Sequence, residues 1–119
     1  MAAVRPEYRE RYAVVLAPSW EPRFATEFNG AVWPCLGCAV WAVRGADSFE
    51  SALRAAVDVG GDTDTVAAVA GALAGARYGI DAVPERWIRA LHVPVPGWQD
   101  RVLRARDLGE LASRLFQRS

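Results

Sequence analysis

The chain has 119 residues, 52% of them hydrophobic, and its fourteen acidic residues are balanced by fourteen arginines with no lysine. That length and apolar content fit one folded domain with a real core and exclude a chain disordered throughout. Zero net charge argues against nucleic acid or an anionic membrane surface as partner, and the missing lysine removes Schiff-base chemistry and a lysine phosphate clamp.

In chain order, helical periodicity dominates. Pro6 is placed to open a first helix carrying Tyr8, Tyr12, Val15 and Leu16 on one side and charge on the other. "APSWEP" breaks it, and Trp20, Phe24 and Phe28 follow at four-residue spacing, as in a short helical turn. Asn29-Gly30 reads as a turn and cap before a helix in which Val32, Leu36, Val40 and Val43 recur. Gly45 is its natural stop. Asp47 and Glu50 read as N-cap and third position of a capping box, with Phe49, Leu53, Ala56 and Val57 as the apolar stripe behind it. Gly60-Gly61 ends that helix. The next starts between Asp62 and Thr65, faces the core through Val66, Val69, Ala70 and Leu73, and stops at Gly79. Pro84 opens a short helix. Asp100 to Phe116 is a final amphipathic helix with Leu108, Leu111 and Leu115 facing inward. No segment alternates clearly with period two. The expected fold class is all-α, one domain over residues 1–119.

No stretch is long and apolar enough to span a membrane. The first six residues lack a leader's basic-then-apolar pattern, so a cytoplasmic protein is expected. Cys35 and Cys38 form a lone C-x-x-C. The strand–helix context of a redox motif is missing, and a zinc site would need two more ligands where the chain has one histidine, His92. Both cysteines are expected to be small buried residues.

The segment "VDVGGDTDTVAAVAGALAGARYG" concentrates the chemistry. It places Asp62, Asp64 and Thr65 at the mouth of a helix rich in alanine and glycine. A single Asp there is an ordinary cap for the exposed N–H groups. Two neighbouring carboxylates repel unless a cation or a proton lies between them, and carboxylate and hydroxyl oxygens suit a hard cation such as Mg²⁺ or Mn²⁺. Gly60 and Gly61 free the backbone for close approach to a ligand. An EF-hand loop is excluded by Val66 and Ala67, which stand where a ligand and a glycine belong. "DTDTV" also fits the haloacid dehalogenase pattern on its face, but a capped helix precedes it instead of a buried strand, and the lysine of that chemistry is absent.

In its context, "GGDTDTVAAVAGALAGARYGIDAVPERW" resembles the C-terminal metal motif of the ADP-ribosylglycohydrolase family, of the dinitrogenase reductase-activating type. "NGAVWPCLGCAVWAVRGADSFESALRAAVDVGG" is similar to the helix pair before that motif. The likeness runs from about Tyr8 to Leu115 and covers the C-terminal portion of the family's fold. The resemblance implies an all-α hydrolase with a two-metal centre, Mg²⁺ or Mn²⁺, acting on ADP-ribose joined to a modified side chain. It implies Asp62, Asp64 and Thr65 as metal ligands and Gly60 and Gly61 as ligand-contacting residues, and it assigns no catalytic residue in this chain. The family's other metal motif, a threonine followed by two adjacent aspartates near its N-terminus, has no counterpart: no Asp-Asp pair occurs. Three readings follow. The chain is a fragment or truncated member of the hydrolase family inactive alone, half of an enzyme completed by another chain or a second copy, or a non-catalytic module that binds ADP-ribose or a partner.

Overall fold

Glycine and proline mark several helix ends of this chain: Pro6 opens the first helix, and Gly45 and Gly79 stand where two others stop. The computed structural model describes residues 5–97 and 101–117. Four helices make up most of a first unit, Met1–Ala82: α1 (Pro6–Val15), α2 (Val32–Gly45), α3 (Phe49–Asp58) and α4 (Thr63–Tyr78). Single 3-10 turns lie at Pro22–Phe24 and Ile80–Ala82. A second unit, Val83–Ser119, holds α5 (Glu85–Ala90), the short strands β1 (His92–Pro94) and β2 (Val102–Arg104), and α6 (Ala105–Phe116).

In the first unit α2, α3 and α4 pack against one another in all three pairings, and α1 lies on α2. Their shared interior is built from small side chains. Ala39, Ala52, Ala56, Val66, Ala70 and Ala74 are fully buried, as are Cys38 and Ala42 to within a hundredth of their surface. Trp20 and Phe49 are the large residues that close its edges. Small residues let helix backbones approach closely, so the stability comes from many close contacts rather than from a few large side chains.

Several expectations are corrected here. α2 turns Cys35, Cys38, Ala39, Ala42 and Val43 inward, while Val32 is 71% exposed. Of the expected stripe Val43 is buried, Leu36 and Val40 are half-buried and only Val32 is exposed; the rest of the inner face is small because it must fit closely against α4. In α4 the buried line is Val66, Ala70 and Ala74, with Leu73 partly exposed. In α3 Val57 is exposed and Ala52 takes its place inside.

The cap of α3 is Ser48, one residue after the expected Asp47. The Ser48 hydroxyl accepts from the Ser51 amide at 3.1 Å, and the Ser51 hydroxyl accepts from the Ser48 amide at 3.0 Å. Two hydroxyls satisfy both orphan amides, which leaves Glu50 free to pair with Arg54 at 2.8 Å. Asp47 instead accepts from the Ser51 hydroxyl at 2.8 Å.

α2 and α4 run side by side in the same direction. At their C-terminal ends Arg77 donates to the Val43 carbonyl at 2.9 Å, and the Tyr78 hydroxyl donates to the Ala46 carbonyl at 2.8 Å. At their N-terminal ends they meet around Asp62, as described below. At the start of α2, Trp33 packs edge-on against Tyr12 of α1 with ring centroids 5.0 Å apart, and the Arg11 guanidinium lies 5.6 Å from its centroid.

The second unit contains the two strands that the sequence pattern missed. β1 and β2 pair antiparallel with Val93 opposite Leu103, and each is three residues long, too short for an alternation to register. α6 therefore begins at Ala105. The expected helical start at Asp100 lies outside the described residues. Leu111 and Leu115, expected to face inward, are exposed. Among the described residues no helix is long and apolar enough to cross a membrane.

A candidate metal loop at the start of helix α4

α3 ends at Asp58, and the chain reverses through Gly60 and Gly61, whose φ angles are +78° and +71°. Two successive left-handed residues are strained for any side chain but hydrogen, so the glycine pair is what permits this turn. Asp62 then caps α4, accepting the Thr65 amide at a long 3.4 Å. Asp62 and Thr65 are half-buried and Asp64 is exposed. Hydrogen bonding holds the Asp62 carboxyl below the usual carboxylate range. The Thr65 side chain contributes most, then the neighbouring Asp64 carboxyl, with the Thr65 amide adding to them and partial desolvation opposing. The three oxygen-bearing side chains singled out in the sequence are therefore brought together at one helix mouth.

A second helix start lies against the same carboxylate. Gly30, which leads into α2, faces Asp62 so closely that a Cβ at position 30 would collide with Oδ2. Asp62 also raises the thiol of Cys35, one turn into α2, adding its charge to the larger effect of burial. The start of α4 and the turn before α2 thus flank one carboxylate.

Sequence reasoning missed the role of Asn29, which it read as a turn and capping residue of α2. Its Nδ2 donates to the Gly60 carbonyl at 2.8 Å, and its Oδ1 accepts from the Asp62 amide at 2.8 Å. Its partners lie 31 and 33 residues away, and no local spacing announces such a pairing. The only available signal was that Asn-Gly directly precedes a helix with no side-chain cap of its own.

Two clefts lie near this region. One of about 360 Å³ is bordered by Phe28, Asn29, Gly60 and Gly61, with Arg23 and Glu27 at its rim. Another, of about 420 Å³, is lined by Trp20, Phe24 and Trp33 together with Glu10, Arg11 and Glu27. Among the described residues no three His, Cys, Asp or Glu side chains cluster as metal ligands would. Among the described residues Asp62 and Asp64 thus have no third acid beside them. Cys35 and Cys38 are buried free thiols, as expected, and burial pushes both up in pKa. His92 is exposed, with Nδ1 2.9 Å from the Ala90 carbonyl oxygen.

The profile described as ADP-ribosylglycohydrolase matches residues 2–119. The chain is 35% identical over 91 residues to the ADP-ribosylarginine hydrolase Tri1 of Pseudomonas putida (strain GB-1), covering 76% of this chain and 22% of that protein. It is 40% identical over 73 residues to the human ADP-ribosylhydrolase ARH3, covering 61% of this chain and 18% of the relative. It is 49% identical over 49 residues to the ADP-ribosyl-[dinitrogen reductase] glycohydrolase of Rhodospirillum rubrum, covering 41% and 17% respectively. The chain spans about a fifth of the length of these curated relatives. No solved structure matches it significantly. The chain belongs to the ADP-ribosylglycohydrolase family.

Proposed function

We propose that this chain carries one half of a divalent-metal centre for removing ADP-ribose from modified side chains, with Asp62, Asp64 and Thr65 as its ligands. The observation that carries the reading is that Asp62 caps α4 through the Thr65 amide, with Asp64 and Thr65 in the same first turn, in a member of this family. The donor set fits a hard cation in part. All its atoms are oxygens, and Asp62 is held ionised.

Bound Mg²⁺ or Mn²⁺ supplies Lewis-acid polarisation and orientation of sugar hydroxyls. Asp62 and Asp64 supply carboxylate oxygens, and Thr65 contributes a hydroxyl that can ligate while its amide donates to Asp62. Gly60 and Gly61 let a ligand approach the backbone. The substrate is ADP-ribose linked to a protein side chain, the chemistry that the relatives' names describe. The two free thiols fit a reducing, cytoplasmic setting.

Two carboxylates with no third acid beside them can attract an ion but cannot fix a pair of ions. Misplacing reacting groups by about 1 Å already costs about a hundredfold in rate. The purified chain is therefore inactive by itself, and the remaining ligands come from residues outside it, as in a fragment of a longer hydrolase or one half completed by another chain or a second copy. The same lack of a third acid supports the alternative of a non-catalytic ADP-ribose- or partner-binding module.

Calorimetric titration with Mn²⁺ and release of free ADP-ribose from ADP-ribosyl-arginine and ADP-ribosyl-serine peptides test the proposal. Wild type should bind Mn²⁺ weakly, the Asp62→Ala, Asp64→Ala double variant should not, and neither should turn over. Equal heats from both would remove the metal reading. Turnover by the chain alone, abolished by Asp64→Ala, would sink the half-site reading.

A further inference from the structure

We infer that Asn29 is a positioning residue for the loop that bears Asp62, acting through the backbone and never as a ligand itself; the inference rests on reading Asp62, Asp64 and Thr65 as metal ligands. One amide makes two bonds of opposite sense. It donates to Gly60 and accepts from Asp62, both at 2.8 Å, and so brackets the Gly61 residue between them. Only Asn and Gln offer a donor and an acceptor in this fixed planar fork. The orientation is determined too, because the reversed amide would set N–H against N–H and oxygen against oxygen.

The steric fit is reciprocal. The α-carbon of Gly61 lies against the Asn29 amide with no room for a Cβ, and the α-carbon of Gly30 lies against the Asp62 carboxylate in the same way. The Asn29-Gly30 pair and the Gly61-Asp62 pair thus interlock, each glycine receiving the polar side chain of the other segment. A longer glutamine would not fit at this separation. An aspartate would lose the donor to Gly60 and would add a third negative charge beside Asp62 and Asp64.

The consequence falls on Asp62 in particular. Its own hold on α4 is weak, a 3.4 Å bond to the Thr65 amide. What fixes the backbone from which its carboxylate projects is the bond from its amide to Asn29. Outer partners that orient metal ligands are worth about ten- to a hundredfold in metal affinity. Removing the Asn29 amide should leave the helices standing and loosen the aim of the carboxylate.

The test compares Mn²⁺ affinity, by calorimetry and by the paramagnetic resonance signal of free Mn²⁺, in wild type, Asn29→Ala, Asn29→Ser and the Asp62→Ala, Asp64→Ala double variant. Melting of the metal-free proteins is measured alongside. Serine keeps a polar side chain but is too short to span both bonds, and it serves if Asn29→Ala does not fold. The expected result is an affinity about tenfold weaker in either Asn29 variant at temperatures where it is fully folded. A purely structural role would lower the melting temperature and leave the affinity of the folded protein unchanged, which would overturn the inference. Wild-type affinity in both Asn29 variants, with binding lost in the double variant, would overturn it while leaving the metal reading intact. No Mn²⁺ binding by wild type would remove both.

Discussion

Gly37 and Gly75 both sit inside helices, and the same substitution at the two positions should change stability in opposite directions. A Cβ at Gly37 would lie 2.7–2.9 Å from three ring carbons of Trp20, closer than carbon atoms can approach. Trp20 is only 8% exposed, so its ring must move outward and surrender burial. A cleft of about 250 Å³ beside Trp20 and Gly37 gives it somewhere to go, which puts the overpacking cost in mid-range, about 2 kcal/mol. Alanine returns about 1 kcal/mol of helix propensity, and Gly37→Ala should therefore destabilise by about 1 kcal/mol. At Gly75 a Cβ meets nothing within 4 Å, so only the propensity acts, and Gly75→Ala should stabilise by about 1 kcal/mol. The gap of about 2 kcal/mol corresponds to about 8 °C between the two variants at about 4 °C per kcal/mol. Thermal melts followed by circular dichroism, checked by urea titration, measure it. A Gly37→Ala protein melting at or above Gly75→Ala would refute the packing of Trp20 on α2.

Other outcomes follow from the same geometry. Gly30→Ala puts a methyl where the Asp62 carboxylate sits; it should weaken Mn²⁺ binding about tenfold with helical content unchanged, and an unaltered titration would contradict that placement. Cys35 and Cys38 are buried, and both thiols are raised chiefly by burial. Alkylation of the native chain should be at least about a hundredfold slower than in urea, the factor for an opening cost of about 3 kcal/mol; rapid native labelling would argue against the α2 orientation. Ser48→Ala should cost about 1 kcal/mol by removing the α3 cap, and urea melts showing no loss would return the cap to Asp47. The Asp47 carboxyl is held below its ordinary value of 3.8, first by the Ser51 hydroxyl and then by Ser48. Its contribution is thus complete above about pH 5 and disappears as pH falls further. Ser51→Ala should flatten that acid loss, which stability measured between pH 2 and pH 7 would show.

What the sequence made legible is what acts locally. Pro6 opens α1, and Gly79 stops α4 with a φ of +82°, because proline and glycine constrain the backbone wherever they stand. The Asp62–Thr65 cluster could be read because its members are adjacent. Helix faces were less legible. A search for large apolar residues at helical spacing favoured Val32 and Leu36, whereas the interior of α2 is Cys35, Cys38, Ala39 and Ala42. Small residues carry little periodic signal, yet close helix contact selects them. The cap of α3 was displaced by one residue because serine and aspartate are equally good caps on paper, and the choice fell to a mutual pair of hydroxyls. β1 and β2 were too short to show a pattern. Asn29 could be read locally as a turn and cap, but nothing local announced its pairing with Gly60 and Asp62.

The span of the Asn29 bonds bears on how the loop comes into being. Each closes a circuit of more than thirty residues that contains all of α2 and α3. Closing such a circuit costs entropy before any single bond repays it. The loop should therefore take its final shape only after α2, α3 and α4 have docked, late in folding rather than early. In hydrogen exchange the Asp62 amide should be protected only as long as α2 stays docked, while amides in the middle of α4 answer to that helix's own unwinding. A synthetic peptide covering the glycine pair and α4 alone would contain every candidate ligand and still lack the arrangement, because its organiser lies in the turn before α2, which the peptide leaves behind.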